Sequence, residues 1–185
     1  MTATLILGGA RSGKSRHAEK LAADCGKDVV YVATAQAHDA EMAERIARHR
    51  RGRDARWITV EETQALGAVL AHWCAPERVV LVDCLTLWLS NLLFADGRTY
   101  PDMGPIDAPP CFAAERAALL EALRAVRGIQ GHVILVSNEV GSGIVPGNAV
   151  SRWFADEAGR LNQELAAACD AVTLIVAGLP LALKA

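Results

Sequence analysis

The short run Thr4-Leu5-Ile6-Leu7 leads directly into Gly8-Gly9-Ala10-Arg11-Ser12-Gly13-Lys14-Ser15, a complete G-x-x-x-x-G-K-S phosphate loop. Such a loop works in one local context. A buried strand must deliver it, glycines must let consecutive backbone N–H groups curl around a phosphate, and a helix must start at its end with its positive pole aimed at the same point. Both flanks comply, since residues 16–25 carry Ala18, Leu21 and Ala22 at helical spacing and stop at Gly26. Lys14 then reaches the β- and γ-phosphates of a nucleoside triphosphate, and the Ser15 hydroxyl ligates Mg2+.

The rest of the chain supplies the sheet that this loop needs. Strand-like apolar runs recur at residues 5–7, 29–33, 57–60, 79–82, 133–136 and 172–176. Helical patterns fall between most of them, at residues 16–25, 39–50, 63–73, 112–126 and 149–169. Strands apolar on both faces and alternating with helices read as an α/β fold, a mainly parallel sheet flanked by helices on both faces. The last run, followed by Gly178-Leu179-Pro180 and residues 181–183, reads as an antiparallel hairpin at the sheet edge. Residues 96–111 hold Pro101, Pro105, Pro109 and Pro110 and are expected to form a long exposed connection.

At 185 residues with 52% hydrophobic content, the chain suits a single domain over 1–185 with a sizeable core. A net charge of −2 gives no reason to expect nucleic-acid or anionic-membrane binding, although basic residues cluster between Arg45 and Arg56. The five cysteines are scattered, odd in number and without a C-x-x-C pair, so they read as small hydrophobes in a reducing compartment. The apolar stretches at residues 3–7 and 171–183 are too short for a signal peptide or a membrane span, and a soluble cytoplasmic protein is expected.

Three further places carry chemistry. Val79-Val80-Leu81-Val82-Asp83 ends a buried strand in a carboxylate, which suits Asp83 for meeting Ser15 across Mg2+; a turn or helix-cap role fits the same residue. Residues 41–53 place four arginines within six positions (Arg48, Arg50, Arg51, Arg53) around His49 at the end of a helix. A solvated helix end that satisfies the macrodipole explains this composition. So does a nucleophile, because a neutral imidazole attacks phosphorus and the arginines favour its neutral form and neutralise a triphosphate. Ser137-Asn138-Glu139-Val140-Gly141-Ser142-Gly143-Ile144-Val145-Pro146 follows a buried strand and fits either a ligand-facing loop or a structural turn.

Taken together, the strings GGARSGKSRHAE (8–19), YVATAQ (31–36), DAEMAERIARHRRGR (39–53), DCLTLWLSNLL (83–93), NEVGSGIVP (138–146) and GRLNQ (159–163) resemble the bifunctional adenosylcobinamide kinase/adenosylcobinamide-phosphate guanylyltransferase family of cobalamin biosynthesis. The resemblance spans almost the whole chain in the family's order. It implies a RecA-like P-loop NTPase that phosphorylates adenosylcobinamide with ATP or GTP. The enzyme then transfers GMP from GTP to adenosylcobinamide phosphate through a covalent GMP–histidine, here matching His49. Guanine-nucleotide contacts are implied at Gly8, Gly9, Ala10, Arg11, Ser12, Gly13, Lys14 and Ser15, at Ala33, Thr34 and Ala35, at Arg50, Arg51, Gly52 and Arg53, at Glu61, and at Asp83. A homotrimer is implied as well. One departure stands out: where the family often carries Arg between the residues matching Phe154 and Asp156, this chain has Ala155. Two alternatives fit the same loop, a plain small-molecule P-loop kinase and a nucleotide-dependent regulatory module.

Overall fold

A computed structural model describes residues 2–37, 40–129 and 131–185; for Glu41, Met42, Arg45, Arg48 and His49 the description covers the backbone alone. In chain order the elements are β1 (Thr2–Gly8), α1 (Lys14–Asp24), β2 (Asp28–Ala33), α2 (Ala40–Arg51), β3 (Ile58–Glu61), α3 (Leu66–Trp73) and β4 (Arg78–Asp83). There follow α4 (Leu85–Leu93), α5 (Pro110–Ala125), a 3-10 turn at Val126–Gly128, β5 (His132–Asn138), α6 (Ala149–Ala168), β6 (Ala171–Val176) and β7 (Leu179–Lys184). The strands form one sheet in the order β3-β2-β4-β5-β1-β6-β7. Strands β1 to β6 run parallel, and β7 returns antiparallel to β6.

The near-continuous apolar runs follow from burial on both faces. Alternate residues of the central strands feed two separate cores. Leu5, Leu7, Val80, Val82, Val133 and Leu135 face α3, α4, α5 and α6, whereas Ile6, Tyr31, Leu81, Ile134 and Val136 face α1 through Ala18 and Ala22. At the edge, β3 has no buried residue, so the expectation of strands apolar on both faces does not extend to it.

Element boundaries shift where local hydrogen bonds compete. The helix expected from residue 63 begins at Leu66, because the Glu62 carboxylate accepts the N–H groups of Gln64 (2.8 Å) and Ala65 (3.0 Å) and holds a turn there. α5 starts earlier than expected, with Pro110 in its first turn, where a missing N–H costs nothing. α4 occupies a stretch in which periodicity had suggested no element. It buries Leu85, Thr86, Trp88, Leu89, Leu92 and Leu93, leaving too little polar face to show a helical pattern.

The terminal hairpin is present and bears on the phosphate loop. Ala177 (φ 51°) and Gly178 (φ 81°) make the two-residue turn between β6 and β7. From it, the Gly178 N–H donates to the Ser12 carbonyl at 2.8 Å. The proline-rich connection ends at residue 109, where α5 takes over, and residues 96–109 carry no regular element but are tied down: the Tyr100 hydroxyl donates to Leu93 O (2.7 Å) and the Asp102 carbonyl accepts the Ala149 N–H (2.7 Å). All five cysteines are free; Cys84 and Cys169 are buried and the others half-buried. Among the described residues, no helix is long and apolar enough to cross a membrane.

Candidate active site

The carboxyl ends of β1, β2, β4 and β5 open onto a cleft of about 790 Å³, the crevice where open α/β sheets hold their ligands. At its base lies the phosphate loop. Arg11 (φ 57°) and Gly13 (φ 97°) take left-handed backbone conformations, which let the loop coil back on itself. The ammonium of Lys14, a residue only 9% exposed, donates to the Gly9 carbonyl at 3.1 Å. On the outer side the Glu139 N–H bonds the Gly8 carbonyl (3.1 Å), so the strand next to β1 also steadies the loop.

Asp83 ends β4 in the cleft wall, with Ser15 in the same cleft. Its Oδ2 accepts the Tyr31 hydroxyl at 3.0 Å. Burial first, and the neighbouring Asp83 charge second, push the Tyr31 hydroxyl far above its ordinary range, so it stays a protonated donor. Glu19, one helical turn beyond Ser15, is also pushed upward, mainly by burial and then by Asp83. Thr34 braces this corner: its hydroxyl accepts the Cys84 N–H and donates to the Cys84 carbonyl, both at 2.8 Å.

The cleft's roof is α2 and the turn after it. Ala43, Ile46, Ala47 and Arg50 line the cavity at helical spacing, followed by Arg51 and Arg53. Arg50 is ion-paired with Glu61 at the end of β3, and Arg51 with Glu44 at 2.8 Å. The Arg53 guanidinium lies 3.5 Å over the Tyr31 ring. His49 immediately precedes Arg50 on this helix, and its side chain lies outside the described residues.

Of the residues singled out from sequence, Ala10, Lys14, Ser15, Ala33, Ala35, Arg50, Arg51, Arg53, Glu61 and Asp83 line this one cavity. Gly8, Gly9, Arg11, Ser12 and Gly13 shape the loop beneath it, and Gly52 sits in the turn between Arg51 and Arg53. Thr34 is fully buried and does not line the cavity; its hydroxyl serves the Cys84 peptide. The run from Ser137 divides, with Asn138, the last residue of β5, in the cleft and Ile144 and Val145 fully or largely exposed beyond it. Sequence reasoning passed over Tyr31, Thr63, Leu87 and Glu19. Only a tyrosine inside an otherwise aliphatic buried strand signalled the first of these.

The donor set suits Mg2+, which takes one or two protein oxygens and completes its shell with phosphate and water. Ser15 and Asp83 offer those oxygens. Among the described residues no group of three His, Cys, Asp or Glu forms a cage that would hold a metal by protein ligands alone.

A phosphate loop, a facing acid and an arginine-lined roof define a P-loop nucleotide-binding enzyme. The fold agrees with that class. The chain superposes on the RadB recombinase with TM-score 0.51 at 18% identity, covering 94% of this chain and 73% of that one. It superposes on a type III secretion system ATPase with TM-score 0.53 at 15% identity, covering 94% of this chain and 50% of that one. These are RecA-like neighbours in fold alone. Sequence narrows the class: the chain belongs to the cobinamide kinase / cobinamide phosphate guanyltransferase family, whose model matches residues 4–183. It is 53% identical to the bifunctional adenosylcobalamin biosynthesis protein CobP of Pseudomonas aeruginosa, over 97% of this chain and 96% of that protein. It is 44% identical to the bifunctional adenosylcobalamin biosynthesis protein CobU of Escherichia coli, over 97% of this chain and 98% of that protein.

Proposed function

We propose that this one cleft carries out both reactions of the family. The chain is a cobinamide kinase and cobinamide-phosphate guanylyltransferase of cobalamin biosynthesis. It phosphorylates adenosylcobinamide with ATP or GTP. It then moves GMP from GTP onto the resulting phosphate, through a covalent bond to His49. The observation that carries the single-cleft reading is the shared cavity, lined at once by Lys14, Ser15 and Asp83 and by the roof helix that bears position 49.

In the kinase step the loop N–H groups and Lys14 spread the charge that builds on the γ-phosphoryl group, while the substrate hydroxyl attacks in line. Ser15 and Asp83 would hold Mg2+, which would neutralise part of the triphosphate charge. In the nucleotidyl step a neutral His49 nitrogen attacks the α-phosphorus. The P–O bond to the β-phosphate breaks, and pyrophosphate leaves with that electron pair. Arg50, Arg51 and Arg53, which line the cleft, offset its charge, the first two after exchanging Glu61 and Glu44 for the phosphates. The acceptor phosphate then displaces His49 and forms the new phosphoanhydride, which is the ping-pong course of covalent catalysis. Residues 1–185 are read as one P-loop domain and the assembly as a homotrimer.

Lys14→Ala tests the single cleft. Both reactions handle a triphosphate on the same loop, so kcat/KM is expected to fall about a hundredfold or more in each. Loss of one rate with the other unchanged would require two separate nucleotide sites.

A further inference from the structure

The three described arginines of the roof are held in two different ways. Arg50 and Arg51 are each paired with a carboxylate, Glu61 and Glu44. Arg53 is not. Its guanidinium rests on the Tyr31 ring at 3.5 Å, one nitrogen reaches the Thr59 hydroxyl at 3.4 Å, and its buried Nε has no partner among the described residues. A π face orients a guanidinium without neutralising it, so the charge of Arg53 remains available to an anion in the cleft.

The ring that seats Arg53 is itself fixed. Tyr31 is 2% exposed, stacks near Trp57 with centroids 6.4 Å apart at 22°, and donates its hydroxyl to Asp83 at 3.0 Å. One side chain therefore touches both the arginine end of the roof and the acid opposite the phosphate loop. We propose that Tyr31 is the positioning residue of this cleft, its ring presenting Arg53 to the triphosphate and its hydroxyl setting the Asp83 carboxylate toward Ser15. This rests on the reading of the cleft as the shared nucleotide site.

The two contacts predict separable effects. Tyr31→Phe keeps the ring and removes the donor to Asp83, whereas Tyr31→Leu removes both. The assay uses the full-length protein with GTP and Mg2+, reading GTP Kd by calorimetry, kcat and KM for both reactions, and Tm without nucleotide. Tyr31→Leu and Arg53→Met are each expected to weaken GTP binding about tenfold, the scale of a desolvated cation–π seat. The double variant should be no weaker than either single within about twofold, because the seat and its occupant act as one unit. Tyr31→Phe should bind GTP within about twofold of wild type yet lose about tenfold in kinase kcat through a misaimed Asp83.

Additive losses in the double variant would overturn the proposal. So would a Phe variant that binds as poorly as Leu, or one with unchanged kinase kcat. If Tyr31→Leu does not fold, Arg53→Met and Tyr31→Phe still test the ring and the hydroxyl from opposite ends. Normal rates in both Arg53→Met and Asp83→Asn would sink the shared-cleft reading itself. Losses in those two with wild-type behaviour in every Tyr31 variant would sink the positioning role alone.

Discussion

Gly8 is the position where the phosphate loop depends most directly on the sheet beside it. A Cβ added there lies 2.8 Å from the Ile175 carbonyl and 2.5 Å from the Ser12 Oγ. The serine hydroxyl can rotate away, but Ile175 is the backbone partner of Gly8 in the β1–β6 pairing. Reaching an ordinary contact of 3.4 Å therefore requires the two strands to part by about 0.6 Å at that point. Overpacking of this kind costs about 1–3 kcal/mol, or about 3–9 °C in Tm for a chain of this size. Function suffers more than stability. β6 leads into the turn whose Gly178 N–H grips the Ser12 carbonyl, so a displaced β6 carries the loop's brace with it. Misplacement on this scale costs about tenfold to a hundredfold in kcat/KM. Gly9→Ala, whose Cβ meets nothing within 4 Å, is the stability control and should melt within about 1 °C of wild type. The assay is thermal unfolding together with GTP titration. A Gly8→Ala protein that melts and binds GTP like wild type would refute the contact between loop and hairpin as the source of the loop's shape.

Three other outcomes are expected. Burial holds the Cys84 thiol at about 11 and the Cys169 thiol at about 12, so neither should react with iodoacetamide in the native protein at neutral pH, which mass mapping of the alkylated protein checks. Because both values are raised above the unfolded thiol's, the stability they contribute is intact below the unfolded value and is lost as pH climbs through the folded ones; unfolding midpoints should fall on the alkaline side. Arg116 is only 14% exposed and ties Glu157 and Glu164 of α6 to α5. Arg116→Ala should cost about 2 kcal/mol, less than the full penalty of an orphaned buried charge because Arg160 still pairs with Glu157. A denaturant midpoint equal to wild type would show that the network contributes nothing net.

What could be read from the chain beforehand follows from how local each signal is. The phosphate loop with its flanking strand and helix, and the strand that ends in Asp83, are each written in one unbroken stretch of sequence, and each lies where expected. α4 escaped because Trp88 and its leucine neighbours are buried on nearly every side, which erases the polar face that marks a helix. The true start of α3 was hidden in a side-chain bond from Glu62 that periodicity does not register. Tyr31 went unnoticed for a different reason: its partners Asp83 and Arg53 come from other elements, and only the folded sheet brings them to one point. Thr34 shows the converse. Its motif implies a nucleotide contact and gives no hint that its hydroxyl also secures the Cys84 peptide.

The transfer of GMP through His49 is tested most directly by weighing the intact protein after incubation with GTP and Mg2+ and no acceptor. Wild type should gain the mass of a single GMP moiety, lose it in acid, and release one equivalent of pyrophosphate. His49→Ala should gain nothing while still passing a γ-phosphate to cobinamide. An acid-labile GMP adduct on the His49→Ala protein, or none on wild type during active turnover, would contradict the covalent route.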